Sequence, residues 1–205
     1  MNHCTVITDP DQISRVFQVF FDYVRVLVDI PKSDHEYCRQ LFEPVYVRKN
    51  TILYSESPIH KYHNFIVSRH MRNFHHTENG KEVTTEISDE MRFFTSYNHF
   101  ISQTVSNEKL QCVTDCELLR ITRKNVEKTA AIGLTSQEYT KKALQYYLHV
   151  SKQRMVDPTT LSEKECYLKL MKFSPSIIHD IPLVYTASYL GLNAGSVSRI
   201  RQEVS

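Results

Sequence analysis

The sequence lacks the features of an exported, membrane-spanning or catalytic protein. No secretory signal is present, and Asp22, Arg25 and Asp29 interrupt the longest early apolar run, so we expect no membrane span. The five cysteines are odd in number and widely spread, which favours reduced thiols and a cytoplasmic location. Neither a glycine-rich phosphate loop nor a nucleophile elbow occurs. We therefore expect no enzymatic activity and no cofactor.

The composition is that of a globular protein, with 41% hydrophobic and 23% charged residues. The net charge is only +2, so the whole chain is no polycation. Residues 1–150 contain 18 basic and 18 acidic side chains, whereas residues 151–205 contain 7 and 5. The whole excess lies in the C-terminal part, which weakly favours a nucleic-acid contact there.

The N-terminal two thirds combine helical and strand patterns. Asp9-Pro10 predicts the start of an amphipathic helix, and Ser33 with Glu36 predicts a capping box for a second helix. From about residue 44 to 122 the segments become short, β-branched and aromatic. Asn79-Gly80 between two of them predicts a hairpin with a type I′ turn. This region is therefore expected to form an antiparallel barrel or roll.

After Asn125 the helical period returns in one long helix, which Asp157-Pro158 is expected to end. One apolar stripe follows a four-three-four spacing, and it consists of Tyr139, Ala143, Tyr146 and Val150. Leu144, Leu148 and Met155 widen this stripe. A stripe of this length between two domains predicts pairing with a second copy of the helix. The alternative is that the helix packs only on its own barrel.

The stretch 181–205 has the layout of a DNA-binding helix-turn-helix. Pro182 suits the first position of one helix, Gly191 the turn, and Asn193 the cap of a second helix. A small core between the helices is expected from Ala187, Leu190, Leu192, Val197 and Ile200. The outward side of the second helix is expected to carry Ser196, Ser198, Arg199 and Gln202, which can reach bases or phosphates. The alternative is an ordinary helical hairpin.

Histidines and cysteines suggest a second reading. His60 and His63, together with His75 or His99, are candidates for a metal site, which would make the roll a cupin-like enzyme or sensor without DNA binding. The cupin pattern of His-x-His followed by Glu is absent, so we expect no metal. Cys112 and Cys116 are expected in one strand, ~13 Å apart and beyond disulfide reach.

The order of these parts resembles that of the compact Crp/Fnr transcription regulators of the Bacteroidetes type, over nearly the whole chain. The specific matches are Ile181-Pro182-Leu183, Ala187-Ser188-Tyr189-Leu190-Gly191 and Ser198-Arg199-Ile200-Arg201. Weaker matches are LFEP at 41–44, NGKE at 79–82, DCELL at 115–119 and LSEKE at 161–165. The resemblance implies an α+β fold and a homodimer that binds double-stranded DNA. Its parts would be an N-terminal cyclic-nucleotide-binding-type antiparallel β-roll (1–132), a long dimerisation helix (133–157) and a C-terminal helix-turn-helix of winged-helix type (158–205).

Two departures from the family pattern change what the resemblance implies. Thr95-Ser96 stands where cyclic-AMP-binding members have Gly-Glu, and Ser106-Asn107-Glu108 stands where they have Arg-Ser/Thr-Ala. A phosphate beside a carboxylate without its arginine would be costly, so we expect no cyclic AMP binding by the usual geometry. The roll would then serve an unknown small-molecule effector or act as a structural platform.

The second departure lies in the recognition helix, where Ala194-Gly195 replaces the base-reading Glu that the family commonly has. The residues expected at DNA are Asn193, Ser196, Ser198, Arg199, Arg201 and Gln202. Arg199 is expected at a guanine edge or a phosphate and Arg201 at the backbone. Because the sequence stops at Ser205, the wing is expected to be short or absent.

Overall fold

The computed structural model describes residues 4–53, 59–132 and 134–204. The expected domain boundary at 132/133 adjoins residue 133, which lies outside the described residues. The elements, in chain order, are β1 (Cys4–Val6), α1 (Pro10–Leu27), α2 (Lys32–Leu41), β2 (Glu43–Val47), β3 (Tyr62–Ser68), β4 (Met71–His76), β5 (Glu82–Ser88), β6 (Arg92–Phe94), α3 (Tyr97–Ser102), β7 (Lys109–Cys112), β8 (Cys116–Thr122), α4 (Arg123–Ile132), α5 (Leu134–Thr160), α6 (Glu163–Phe173), α7 (Pro175–Asp180), α8 (Leu183–Leu190) and α9 (Ala194–Val204).

Helix α1 begins at Pro10, as the sequence predicts. The Asp9 carboxylate caps it by accepting a hydrogen bond of 2.8 Å from the backbone N–H of Gln12. Pro10 occupies the first turn, where its missing N–H costs nothing. The apolar side of α1 packs on the sheet, and the Phe20 ring centroid lies 5.2 Å from that of Phe65 in β3. Burial of this aromatic layer attaches α1 to the roll.

The capping box predicted at Ser33 is wrong. Helix α2 begins two residues earlier than this box implies, at Lys32, and Pro31 occupies the cap position without a side-chain hydrogen bond. The fixed φ of Pro31, −60°, already suits the start of the helix. Ser33 is therefore inside the first turn, where its hydroxyl donates to the Asp34 carboxylate at 3.1 Å.

The described strands form two antiparallel sheets, which confirms the predicted α+β roll. The five-stranded sheet has the order β1-β2-β8-β3-β6, and the three-stranded sheet has the order β5-β4-β7. A buried apolar core between them consists of Val45, Val47, Ile66, Met71, Phe94, Leu110, Cys112, Cys116 and Leu118. Side chains alternate along each strand, so the three-stranded sheet also has an outer face.

The hairpin predicted at Asn79-Gly80 joins β4 to β5, but its turn is not type I′. That turn needs positive φ at both central residues, whereas Gly80 alone of the pair has it, at +74°. The Thr77 N–H donates to the Lys81 carbonyl at 2.9 Å, which closes a three-residue loop. The left-handed glycine at the last loop position is typical of a type I turn followed by a bulge.

Cys112 and Cys116 do not share a strand, contrary to the prediction. Cys112 ends β7 and Cys116 begins β8, because the chain reverses between them at a turn where Asp115 accepts a 2.8 Å hydrogen bond from the Lys49 N–H. The two thiols are fully buried and free, and the Cys116 thiol donates to the His70 carbonyl at 3.3 Å. Interaction with the Cys116 thiol and burial raise the pKa of Cys112, whereas interaction with the Cys112 thiol lowers the pKa of Cys116.

Helix α5 continues past the point where the sequence predicts its end. It runs to Thr160 and contains Pro158 in its last turn. A proline there removes a single hydrogen bond near a terminus, and the Leu161 N–H still donates to the Asp157 carbonyl at 2.8 Å. Although α5 is long, no helix among the described residues has both the length and the apolarity that a membrane span requires.

The C-terminal helices α6 to α9 enclose their own small core. Ser162 and Glu165 form the capping box that begins α6. Of the five predicted core residues, Ala187, Val197 and Ile200 are buried, and Leu190 and Leu192 pack half-buried around them. Tyr167 and Ile178, which complete the buried cluster, come from α6 and α7.

Candidate nucleic-acid interface

Helices α8 and α9 form the predicted helix-turn-helix. Gly191 ends α8 with φ of +72°, and its N–H bonds back to the Ser188 carbonyl at 3.1 Å. Asn193 caps α9 by accepting a 2.7 Å hydrogen bond from the backbone N–H of Ser196. Pro182 lies at the cap position of α8 and not at the first helical position, where the sequence placed it; Leu183 is the first helical residue.

The exposed side of α9 carries part of the predicted DNA-binding set. Asn193, Arg199 and Gln202 are exposed, and Ser198 is half-buried. Arg199 is exposed, so its guanidinium is accessible to an external partner. These side chains lie along one surface of a helix that a packed core holds in place.

Ser196 and Arg201 occupy a different position from the one predicted. Ser196 is buried at 7% exposure, because it lies on the same side of α9 as Val197 and Ile200. The Arg201 guanidinium donates to the Ile178 carbonyl of α7 at 3.2 Å. Both residues therefore contribute to the packing of α9 rather than to its outward side.

Gly195 has a local role that the sequence did not show. A Cβ at this position would lie 3.2 Å from the capping oxygen of Asn193, which is tighter than ordinary contact. Glycine thus leaves room for the cap, although it lowers intrinsic helix stability by up to about 1 kcal/mol relative to alanine. Across residues 161–204, all of them described, the structure contains helices and no wing strands.

The stripe predicted to pair with a second copy faces the protein's own roll at its N-terminal end. The Tyr139 ring packs against Tyr23 and Phe93, with centroids 6.5 and 6.0 Å apart. Burial raises the pKa of Tyr139 well above its ordinary value. Ala143 and Val150 are half-buried along the same side, whereas Tyr146 is 51% exposed. The packing on the barrel, which the sequence left open as the alternative, accounts for Tyr139.

A different side of α5 remains uncovered. Leu144, Leu148 and Met155 are 37%, 66% and 77% exposed. Together with Ser151 they repeat the four-three-four spacing of a helix seam, about 150° around the helix from Tyr139. These are the residues that the sequence suggested only as a widening of the stripe.

No protein-family model and no curated protein matches the sequence. Solved structures do match. FixK2 from Bradyrhizobium japonicum has a TM-score of 0.65 at 16% identity, covering 80% of this chain and 84% of its own. A protein described as a Crp/Fnr-family transcriptional regulator from Eubacterium rectale has 0.62 at 15%, with 89% and 87% covered. The catabolite activator protein of Thermus thermophilus has 0.53 at 13%, with 87% and 85% covered.

The chain has the Crp/Fnr-type fold. Along the chain, the roll is followed by the long helix and then by the helix-turn-helix, which is the order that the sequence resemblance implies. At these identities the similarity establishes the architecture, and function depends on the residues of this chain.

Within the Crp/Fnr-type fold, the expected effector segments are occupied by local hydrogen bonds. The Thr95 hydroxyl donates to the Tyr62 carbonyl at 3.0 Å, and the Ser106 hydroxyl accepts from the Glu108 N–H at 3.0 Å. Ser96 is buried just before α3, and Asn107 is exposed. The hydroxyls therefore hold their own loops in place.

Two carboxylates, those of Glu108 and Glu86, lie in or near these segments. The Glu108 carboxylate accepts a 2.6 Å hydrogen bond from the Thr85 hydroxyl. Burial raises the pKa of Glu86 to about 7, against the opposing charge of Arg154 in α5, and the Glu108 charge adds to the increase. Sequence reasoning missed Glu86, because a lone Glu in an alternating strand usually faces solvent.

The histidines do not assemble into the metal site that the second reading requires. Among residues 4–53, 59–132 and 134–204, no three His, Cys, Asp or Glu side chains are grouped to hold an ion. His63 lies in an aromatic pocket, 4.6 Å from the Phe93 ring centroid, and burial lowers its pKa to about 3. The rings of His60 and His99 lie 6.4 Å apart.

Proposed function

We propose that the protein is a homodimeric, sequence-specific DNA-binding transcription regulator of the cytoplasm. The observation that carries the proposal is α9, the second helix of a helix-turn-helix, which packs on a core and presents Arg199 on its exposed side. The neighbours in fold include a catabolite activator protein and a protein described as a transcriptional regulator of the Crp/Fnr family. A regulatory function therefore agrees with the architecture and with the chemistry of the exposed helix.

Arg199 is the residue that we assign to direct recognition, at a guanine edge or a phosphate. Gln202, Ser198 and Asn193 would add polar contacts along the same surface, while Asn193 continues to cap the helix. Ser196 and Arg201 would act indirectly, by fixing the orientation of α9. With few base-reading side chains, DNA shape would contribute to specificity.

The dimer would form through the uncovered side of α5. Leu144, Leu148 and Met155 offer a seam of exposed apolar side chains, and two copies would present two α9 helices to a two-fold-symmetric site. This assignment moves the seam away from Tyr139, which packs against the roll, to a different side of α5.

The roll would not bind cyclic AMP in the usual way. The Glu108 carboxylate lies in the segment where the phosphate-binding arginine is expected, and Glu86 stands close enough to raise the local negative charge. We propose either an unidentified small-molecule effector or a structural role for the roll. Isothermal calorimetry should detect no cyclic AMP binding, and micromolar affinity would contradict this part of the proposal.

The direct test is selection of DNA from a random pool, followed by mobility-shift measurement of the Kd on the selected site. Arg199→Ala should weaken binding by about 1–3 kcal/mol and, if the contact is a phosphate, reduce the salt slope by about 1. Lys128→Ala removes an exposed charge from α4 and is the matched control. Absence of any DNA binding at low salt would refute the proposal, and equal affinity of the Arg199 variant would remove that residue from its role.

The dimer is tested by sedimentation. Leu148→Glu places a charge in the proposed seam and should convert the dimer to a monomer at micromolar concentration. Val26→Glu makes the same change on α1, at a side chain that is 81% exposed, and should leave the dimer intact. A Leu148 variant that sediments like the wild type would show that the seam lies elsewhere.

A further inference from the structure

The DNA-binding helices are fastened to the roll through α8, which packs against β5. A buried apolar cluster joins Ile87 of β5 and Val113 beside β7 to Ile177 and Ile181 of the C-terminal part. Tyr185 and Tyr189 of α8 pack against this cluster. The four aliphatic residues of the cluster are each at most 6% exposed, so water is excluded from this contact.

Arg72 of β4 lies at the centre of this contact and is 1% exposed. Its guanidinium donates to the side chains of Gln111 at 2.7 Å, Thr84 at 3.1 Å and Glu82 at 2.7 Å, all in the roll. Tyr185 of α8 covers one face of the guanidinium, with 3.4 Å between its ring centroid and the arginine carbon. A desolvated cation on an aromatic face is a strong and directional contact.

Polar contacts complete the attachment. β5 is an edge strand, and the backbone N–H of Thr84, in the middle of it, donates to the Ser188 hydroxyl of α8 at 2.9 Å. The His70 ring lies 3.1 Å from the Asp180 carboxylate at the end of α7. These pairs fix the position of α8 along the strand as well as its distance from the sheet.

The position of α9 follows from that of α8, because the two helices share a core and a short turn at Gly191. Helix α5 also contacts α8, since the Arg154 guanidinium lies 4.2 Å from the Tyr189 ring centroid. Through α8, the position of α9 is therefore fixed relative to both the roll and α5, the helix that carries the proposed dimer seam.

We propose that the contact of Arg72, Thr84, Tyr185 and Ser188 is a latch that sets the separation and orientation of the two recognition helices in the dimer. Arg72 is then a positioning residue for operator recognition, although it lies in the roll and acts through α8. The inference rests on the proposed DNA-binding function and adds a structural reason for a fixed half-site spacing.

A latch of this kind makes binding sensitive to the distance between half-sites. Each added base pair moves one half-site by about 3.4 Å and turns it by about 35° about the DNA axis. A rigid dimer cannot follow this change, whereas a dimer with loosely attached α8 and α9 can. The dependence of affinity on spacing therefore reports the latch itself, which a general loss of stability would not alter.

The experiment measures Kd on the selected operator and on versions with one or two base pairs inserted or deleted between the half-sites. For the wild type we expect a loss of about tenfold or more at each change of spacing. Tyr185→Ala removes the cover of Arg72 without entering the core of the DNA-binding helices, and the loss should fall to about threefold or less. Val184→Ala, at an exposed neighbour on α8, is the matched control and should retain the wild-type profile.

A second measurement needs no DNA. Ser188→Ala should accelerate amide hydrogen exchange at Thr84 by about tenfold or more, because the N–H loses its partner. An unchanged exchange rate, a wild type that tolerates altered spacing, or a Tyr185 variant with the wild-type spacing profile would each overturn the latch. If neither the wild type nor the variants bound DNA, the proposed function would be refuted instead. The exchange rate of the Thr84 amide would still decide whether the contact between Thr84 and Ser188 forms.

Discussion

Glu86 should make the stability of this protein depend on pH in a way that one substitution removes. Glu86 is paired with Asn73 across β4 and β5, and Arg72 is paired with Ile87. Because side chains alternate along a strand, the Glu86 side chain lies on the opposite face of the sheet from Arg72 and Ile87. Burial raises its pKa to about 7 from the ordinary value of 4.5. Arg154, Arg92, Glu108, Tyr147 and Tyr189 are the titratable or charged groups that face it.

The sign of the effect follows from the raised pKa. The fold favours protonated Glu86, so its contribution is fully present below pH 4.5 and is lost as the pH rises through about 7. The difference between the two pKa values corresponds to about 3 kcal/mol of unfolding free energy. Because Glu86 is half-buried and keeps some contact with water, we expect about 2 kcal/mol.

Glu86→Gln is the test, with urea unfolding measured at intervals from pH 4.5 to 8.5. The variant stays neutral, so its unfolding free energy relative to the wild type should increase by about 2 kcal/mol across this range. Carbon-13 NMR of the Glu86 carboxyl group should show its pKa directly. Glu78→Gln removes a carboxylate from the exposed β4–β5 loop and is the control. A variant-to-wild-type difference that is constant with pH would refute the reasoning.

Three further substitutions test the fold by urea unfolding. Gly191→Ala should cost about 1–2 kcal/mol, because φ is +72° while the new Cβ meets no atom within 4 Å; a larger loss would reveal a clash. Asn193→Ala should cost about 1 kcal/mol through loss of the α9 cap, and an unchanged midpoint would argue against that cap. Phe65→Ala should cost about 3–5 kcal/mol, because the ring is fully buried among Phe20, Tyr23 and Phe93; a loss below 1 kcal/mol would contradict this packing.

Features decided within a few residues of chain were predictable from the sequence. The Asp9 cap, the Ser162–Glu165 box and the Gly191 turn each depend on contacts between residues three or four apart. The helix-turn-helix core is similarly local, since α8 and α9 are joined by a short turn. Fold class and the position of the helix-turn-helix could therefore be predicted without tertiary information.

Features that depend on pairing between strands distant in the sequence could not be predicted from the sequence. The turn between Cys112 and Cys116 contains the β-branched Val113 and Thr114, so the sequence pattern continues like that of one strand. The chain reverses there because β7 pairs with β4 while β8 pairs with β2 and β3. Which side of α5 is covered could not be predicted either, because both sides are apolar. Tyr139 is covered because it meets the aromatic surface of the roll, which comes from distant segments.

The charged residues that matter most to the assembly were the hardest to recognise. Arg72 and Glu86 each interrupt a strand with a charge, and an isolated charge is normally placed in water. Arg72 is buried and Glu86 is half-buried because each meets a partner from a distant segment: Tyr185 covers Arg72, and Arg154 approaches Glu86. The nearby Thr84 and Ser188 are in contact although 104 positions separate them. Arg72 and Glu86 lie on opposite faces of the three-stranded sheet and mark where α8 and α5 meet the roll. The periodicity of a single segment carries no information about such contacts between distant segments.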